Sequence, residues 1–392
     1  MAATGGVPGL LARPGIPAAP LPLPASRHPK SCRAIPHIDI GIMYFLGMRP
    51  LLRLRGPVIP EPDTMHPLPL SRWLRRAALL AGAALLGASA HAADPVKEVK
   101  LDYAYWAPES VVIKNKGWLE EAFRPQGATV QWVFSRGSNT SLEFINSGAT
   151  QFALTAAISA LVSRANGQPI KAVYNYLWSE TSALVVRADS PIRTPADIKG
   201  RKIAATKGTN PYFFLLRSLQ ANGLSTSDVE IVHLQHPDGR TALEQGRVDV
   251  WAGLDPHLAA AQAAGARFVY RNADFRDANF LNTTESFLKE HPEVVRTVLQ
   301  VYERARQWII DNPREAAAIL AAETKLPEEV ISLQLGRYDF TDPVPGKAQR
   351  DAVGAVVPLL LQEGILKPNA DAQQALDTLI DATLIDDIRR AR

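Results

Sequence analysis

Strand-like and helix-like segments take turns from Val96 to Tyr270, and that alternation restricts the chain to a few architectures. VKEVKLDYAYW (Val96–Trp106) places apolar residues at alternate positions, the period of a half-buried strand. After Pro108, ESVVIKNKGWLEEAFRPQ reads as two helical pieces broken at Gly117. Ala128–Ser135 is the next strand, and Ser138–Gly148 is a short helix with polar residues at its start and glycine at its end. QFALT, AAISALVSRANG, PIKAVYNYLW and SALVVRAD (Ser182–Asp189) continue as strand, helix, strand and strand, closing the first half. The second series runs through a helical turn at PADIKG, a strand RKIAAT (Arg201–Thr206) and the helix NPYFFLLRSLQANG. Strands Val229–Leu234, Val248–Leu254 and Ala266–Tyr270 follow, separated by helices DGRTALEQG and PHLAAAQAAG. This pattern predicts mostly parallel sheets, whose ligands lie beyond the strand C-termini. From Glu285 the pattern turns helical, in segments that begin at or near proline, which suits a first helical turn. There, Val294, Val298, Val301, Ala305 and Trp308 form a stripe for burial.

The first 92 residues have a different character. Fourteen of the 30 prolines fall there, and up to Thr64 no period is sustained, so residues 1–64 are expected to be disordered or untranslated. From Met65 the text reads MHPLPLSRWLRRAALLAGAALLGASAHAADP. Arg72, Arg75 and Arg76 precede a short apolar core, Ala77 to Leu86, and Ala90-His91-Ala92 supplies small residues for cleavage. That is an export signal, expected to begin at Met65 and to be cut after Ala92. Its apolar run falls short of the roughly 20 residues needed to cross a bilayer. Ten of the 43 basic and three of the 39 acidic residues lie before Ala93, leaving 33 against 36 and a net charge of −3 beyond it. The basic balance of the whole chain therefore belongs to the leader and gives no reason to expect a nucleic-acid partner. The one cysteine, Cys32, also lies there, so the exported part has neither disulfide nor thiol chemistry, nor a cysteine to carry a lipid. A free periplasmic monomer is expected.

Catalytic signatures are scarce. The chain has no G-x-S-x-G, no phosphate loop and no H-E-x-x-H. His233, His236, His257 and His291 show no metal-ligand spacing, and HPDGR (His236–Arg240) reads equally as a helix cap or a ligand contact. Glu109, Asp255 and Glu285 could pair as acid and base only in three dimensions. Binding without metal or cofactor is therefore expected, with a secreted hydrolase as the alternative from another class. Polar helix starts are abundant instead. Trp106-Ala107-Pro108, Gly137-Ser138-Asn139, Leu154-Thr155-Ala156, Gly208-Thr209-Asn210 and Asp238-Gly239-Arg240 each join a strand to a helix. A helix N-terminus leaves backbone N–H groups unpaired and carries partial positive charge. Several aimed into one cleft would hold an anion.

LDYAYWAPESVVIKNKGWLEE, SRGSNTSLEFINSGATQFALT, DSPIRTPADIKGRKIAATKGTNP and GRVDVWAGLDPHLAAA, in this order, resemble the substrate-binding proteins of ABC importers in the aliphatic sulfonate, taurine and nitrate group. The resemblance implies an α/β fold, a two-lobed clamshell of the type II periplasmic binding-protein kind, with two crossover strands and C-terminal helices on the first lobe. Carried over, lobe one takes 93–186 and 280–392, and lobe two takes 187–279. The resemblance also implies an alkanesulfonate-like organic anion as ligand and the membrane subunits of an ABC permease as partner. Nitrate, taurine or a thiamine-pyrimidine precursor are alternatives within the family. Gly208, Thr209 and Asn210 match a cleft loop facing the anion, with the Thr209 hydroxyl expected to contribute. Thr155 and Ala156 match the loop of the first lobe, and Trp106 and Asp255 match cleft or hinge positions. Ser138, Asp238 and Arg240 join the candidate set from the other polar helix starts. Ala153 and Leu254 depart from the family pattern, which has glycine and an aromatic residue there.

Overall fold

A computed structural model describes residues 94–391. The expected disordered segment and export signal lie outside the described residues.

Among the described residues, ten strands form two five-stranded sheets. The first has the order β2 (Thr129–Phe134), β1 (Glu98–Tyr103), β3 (Phe152–Ala156), β10 (Asp277–Thr284) and β4 (Ile170–Ser179). The second has the order β7 (Glu230–His233), β6 (Lys202–Ala205), β8 (Val250–Leu254), β5 (Ser182–Val186) and β9 (Arg267–Tyr270). The three strands at one side of each sheet are parallel, as helical crossovers between them require. The rest departs from the parallel expectation. β10 runs antiparallel to both β3 and β4, and β5 antiparallel to both β8 and β9. Both sheets are therefore mixed, because the chain changes sheet twice and returns in the opposite sense.

Those two changes correct the expected lobe boundaries. SALVV (Ser182–Val186) pairs with β8 and β9, so the first crossing falls near Thr181 and not after Val186. The return crossing is complete at Asp277, three residues before the expected start at Phe280. A strand alternation in sequence does not say which sheet a strand joins. The two crossings are tied together: Asp277 accepts hydrogen bonds from Thr181 Oγ1 at 3.0 Å and Ser182 Oγ at 3.3 Å.

The helices used below are α1 (Pro108–Lys116), α2 (Trp118–Phe123), α3 (Ser138–Asn146), α4 (Ala157–Ala165), α5 (Asn210–Ala221), α6 (His236–Glu244), α7 (His257–Ala263), α8 (Glu285–Glu290), α9 (Pro292–Asp311), α10 (Pro313–Thr324) and α11 (Glu328–Leu335). Gly117 breaks α1 from α2 as expected, at φ +66°, a left-handed conformation that favours glycine. Four shorter helices, Lys347–Gly354, Val357–Gln362, Ala372–Leu379 and Thr383–Arg390, complete the C-terminal part. The α9 stripe buries Val294, Val298, Val301 and Ala305, and one layer joins them to Leu101, Leu119 and Tyr174. The other face of the first sheet packs Ala153, Ile170 and Phe280 against the later C-terminal helices. α5 belongs to both lobes. Its Phe213 and Leu216 enter that first-lobe layer, while Phe214, Leu215 and Leu219 enter the core of the second sheet.

Candidate functional site

The loops after β1, β2 and β3 in one lobe meet those after β6, β7 and β8 in the other. Buried polar groups shape the first set. Asp102 in β1 is fully buried and accepts hydrogen bonds from Ser141 Oγ at 2.5 Å and the Leu154 backbone N–H at 2.9 Å. Burial pushes its carboxyl up to about 7 against the pull of those donors. Ser141 also bonds Ser135, whose hydroxyl lies 3.1 Å from the Gly137 carbonyl. The turn at Arg136-Gly137 that opens α3 is thus held from beneath by a polar chain rooted in β1.

Five helices of nine or more residues begin at this junction, α1, α3, α4, α5 and α6, beside the shorter α7, whose Ala259 N–H is held by Asp255 Oδ1 at 2.8 Å. None of their N-cap residues, Ala107, Gly137, Ala156, Thr209 and Gln235, receives a side-chain cap bond. Thr209 is a residue type that usually caps, yet its hydroxyl donates to the Thr206 carbonyl at 2.6 Å. This departs from the expectation for that hydroxyl, whose proton is used inside the loop and does not point at a ligand. The first-turn N–H groups of these helices supply the positive potential at the junction.

Beyond the packing of α5 into both lobes, polar contacts join the lobes in a seam at the cleft. Ser159 Oγ donates to the Gly208 carbonyl at 2.8 Å, and Asn210 Nδ2 to Asn279 Oδ1 at 2.9 Å. Arg136 pairs with Asp238 at 3.1 Å, both well exposed. Arg337, just beyond α11, reaches both carboxylate oxygens of Asp255 at 2.7 and 2.9 Å. At Gly137 a Cβ would stand 2.6 Å from Asn139 Oδ1 and 3.3 Å from Thr209 Cγ2 in the opposite lobe. Gly137→Val is expected to wedge the lobes apart and to weaken ligand binding about tenfold or more, roughly 1.4 kcal/mol, as read by calorimetry. Small-angle X-ray scattering of the same variant should show a larger radius of gyration than wild type; an unchanged radius and affinity would refute the wedge.

Beside the seam lies a cavity of about 140 Å³. Tyr105, Trp106, Phe134 and Arg136 line it from the first lobe, and His236, Pro237, Leu254, Asp255, Pro256 and His257 from the second. The Tyr105 and Phe134 rings meet at a tilt of 45° with centres 4.7 Å apart, and Trp106 meets the His236 ring edge-on at 6.3 Å. Burial is the main cause that pushes His236 down to about 3, helped by His257 and Arg136. Burial likewise pushes His257 down to about 4, helped by Arg240 and Arg136 against Asp238. Both rings are neutral at pH 7. A separate groove of about 590 Å³ is bordered by Asn139, Ser159, Lys207 and Gly208.

The ten candidates from sequence fall into three groups. Trp106 and Asp255 line the cavity, and Asp238 closes its rim through Arg136. Asp255 offers a carboxylate already engaged by Arg337 and by the Ala259 N–H at 2.8 Å, which makes it a latch between lobes. Ser138, Ala156, Gly208, Thr209 and Asn210 gather at the seam. There the Ala156 N–H donates to Ser138 Oγ at 2.9 Å, leaving that hydroxyl its own proton to donate. The structure does not bring Thr155 and Arg240 to the cavity. Thr155 Oγ1 accepts from Asn282 within the first sheet at 2.8 Å, and Arg240 pairs with Glu244 one turn along α6 at 2.6 Å. Sequence reasoning missed Arg136, Tyr105, Phe134 and His257 as cavity residues. Only HPDGR carried a signal, for His236. Among the described residues no group of three or more histidine, cysteine, aspartate or glutamate side chains is placed to hold a metal, and no helix is long and apolar enough to cross a membrane.

The NMT1/THI5-like profile matches residues 109–316, from the start of α1 into α10. The chain belongs to the NMT1/THI5-like family. A relative from Escherichia coli (strain K12), named as an aliphatic sulfonates-binding protein, is 29% identical over 298 residues, covering 74% of this chain and 91% of the relative. The taurine-binding periplasmic protein of the same organism is 27% identical over 240 residues, 58% of this chain and 72% of that one. Among solved structures, the alkanesulfonate-binding protein SsuA from Xanthomonas axonopodis pv. citri, bound to MOPS, superposes with a TM-score of 0.66 at 23% identity. That match covers 74% of this chain and all of the other, and it shows the shared fold: an α/β two-lobed periplasmic binding protein with two mixed sheets.

Proposed function

We propose that this chain is the solute-binding component of an ABC importer, capturing a small organic anion, an aliphatic sulfonate in the first place, between its lobes for delivery to the permease. The carrying observation is the junction itself: helix starts from both lobes, without side-chain caps, face one another beside an aromatic cavity. An anionic head satisfies the first feature, because backbone N–H groups and helix dipoles favour negative charge. An apolar tail satisfies the second. Thr209 contributes through its backbone and Ser138 through its hydroxyl proton. Asn210 holds the seam, and Lys207, on the open groove, supplies only long-range attraction. Ligand entry requires the lobes to part at Thr181 and Asp277 and to close again through Arg136–Asp238 and Arg337–Asp255. The protein acts as a monomer, exported to the periplasm by the segment 65–92, and leaves its ligand chemically unchanged.

Titration calorimetry of residues 93–392 against alkanesulfonates, taurine, nitrate and sulfate tests this reading. Heat of binding with short alkanesulfonates, and an unaltered ligand recovered afterwards, is the expected result. Silence across the sulfonates would remove the assignment, and turnover of any bound ester would favour a hydrolase.

A further inference from the structure

The cavity beside the seam is lined by rings from both lobes, and that lining discriminates among apolar tails. Tyr105, Trp106 and Phe134 come from the first lobe, and the imidazoles of His236 and His257 from the second. Both imidazoles are neutral at pH 7, because burial pushes them down to about 3 and about 4. The charged members of the lining are already countered. Arg337 holds the Asp255 carboxylate at 2.7 and 2.9 Å, and Arg136 pairs at the rim with the exposed Asp238. What remains for a guest is mostly ring surface.

Size, ring geometry and the position of the anion point to the same guest. At about 140 Å³ the cavity is close to one of roughly 150 Å³ known to accept benzene. A rigid six-membered ring fills such a space with little entropy to lose, whereas an open chain must give up its rotations to pack as tightly. Tyr105 and Phe134 are inclined at 45°, and Trp106 and His236 at 68°. A planar guest cannot lie parallel to both members of either pair, so it meets its neighbours by face and by edge. Both arrangements attract aromatic rings beyond burial alone, and a saturated chain gains neither. Arg136 belongs both to the cavity lining and to the turn that opens α3, so the cavity borders the anion-binding junction and a head joined directly to the ring needs no spacer. Resting on the proposed anion-binding role, we propose that this cleft selects an aryl sulfonate, with its benzenoid ring between Tyr105, Trp106 and Phe134 of one lobe and His236 and His257 of the other. The ligand class then extends beyond alkanesulfonates to arenesulfonates, which the site holds more tightly than open chains of equal carbon number.

The test is calorimetry of the wild-type protein at pH 7.5 with benzenesulfonate, hexanesulfonate and ethanesulfonate. Hexanesulfonate has the same number of carbons and more apolar surface, so burial alone favours it. Benzenesulfonate is nevertheless expected to bind about tenfold tighter than hexanesulfonate, a margin of roughly 1.4 kcal/mol. Phe134→Leu keeps an apolar side chain and removes a ring at a position that is 39% exposed. It should weaken benzenesulfonate severalfold more than hexanesulfonate; equal losses overturn the proposal. Equal or tighter binding of hexanesulfonate by wild type also overturns it, leaves the sulfonate reading intact and requires no variant to fold. Heat with ethanesulfonate and none with benzenesulfonate has the same meaning. Binding of none of the three removes both this inference and the reading beneath it.

Discussion

Replacing Glu303 with leucine is expected to lower the unfolding free energy by about 3–5 kcal/mol, the cost of stranding a buried charge. Glu303 and Arg306 stand one turn apart on α9, with side chains 2% and 9% exposed. The guanidinium grips the carboxylate through Nε at 2.8 Å and Nη2 at 2.7 Å, and its Nη1 donates to the Phe340 carbonyl at 2.9 Å. Without Glu303, two edges of a planar cation lose their acceptor in a buried layer where the nearest charged or phenolic groups are Tyr174 and Glu109. The double replacement, Glu303→Leu with Arg306→Leu, should recover most of the loss. A pair replaced by well-packed apolar residues is often neutral or better, since both desolvation costs disappear together. Urea melts of wild type and the two variants test this. Equal losses in the single and double variants would show that packing, and not the stranded charge, sets the cost.

The second large effect depends on pH. Glu109, in the first turn of α1, is fully buried, and neither carboxyl oxygen has a hydrogen-bond partner. Burial raises its carboxyl from 4.5 to about 8; its own backbone N–H and Arg306 pull the other way, and Glu303 adds to the rise. The folded protein therefore keeps a proton that the unfolded chain releases. This group's contribution to stability is complete below pH 4.5 and is lost as pH climbs through 8. At about 1.4 kcal/mol per unit, the loss is on the order of 4 kcal/mol by pH 9. Glu109→Gln keeps the shape and cannot ionise. It should match wild type near pH 5 and exceed it by several kcal/mol at pH 9. Asp102 and Asp277, raised by burial to about 7 and about 6, slope the same way but equally in both proteins. A stability difference between wild type and Glu109→Gln that stays constant from pH 5 to 9 would show that Glu109 is already ionised in the fold.

The ligand-binding prospects depend on the same balance of burial and pairing. His236 and His257 are neutral chiefly because they are buried, with Arg136 nearby, so the cavity offers acceptors and aromatic faces, while positive charge comes from Arg136 at its rim and from backbone N–H groups. This division lets one cleft receive a permanently charged head without a buried lysine.

The element pattern was legible in the sequence because each signal is local. The alternating apolar residues of Val96–Trp106 yielded β1, Gly117 marked the break between α1 and α2, and the prolines at 292 and 313 opened α9 and α10. The family resemblance was carried by loop text such as KGTN and DP, which lies at the junction of the lobes. Other facts depend on residues far apart in the chain. That Ser182–Val186 joins the second sheet is decided by hydrogen bonds to strands some 70 and 80 residues later, which no local period encodes. The Thr209 hydroxyl faces Thr206 because the loop turns on itself, although its residue type suits a cap or a ligand contact equally well. Arg337 meets Asp255, and Tyr105, Phe134 and His236 share one cavity, only when the two lobes close. Local propensity and resemblance determined the architecture and the neighbourhood of the cleft. Which side chains line that cleft, and which polar atoms are left without a partner, was decided by tertiary packing, because burial and partnership are properties of the assembled lobes.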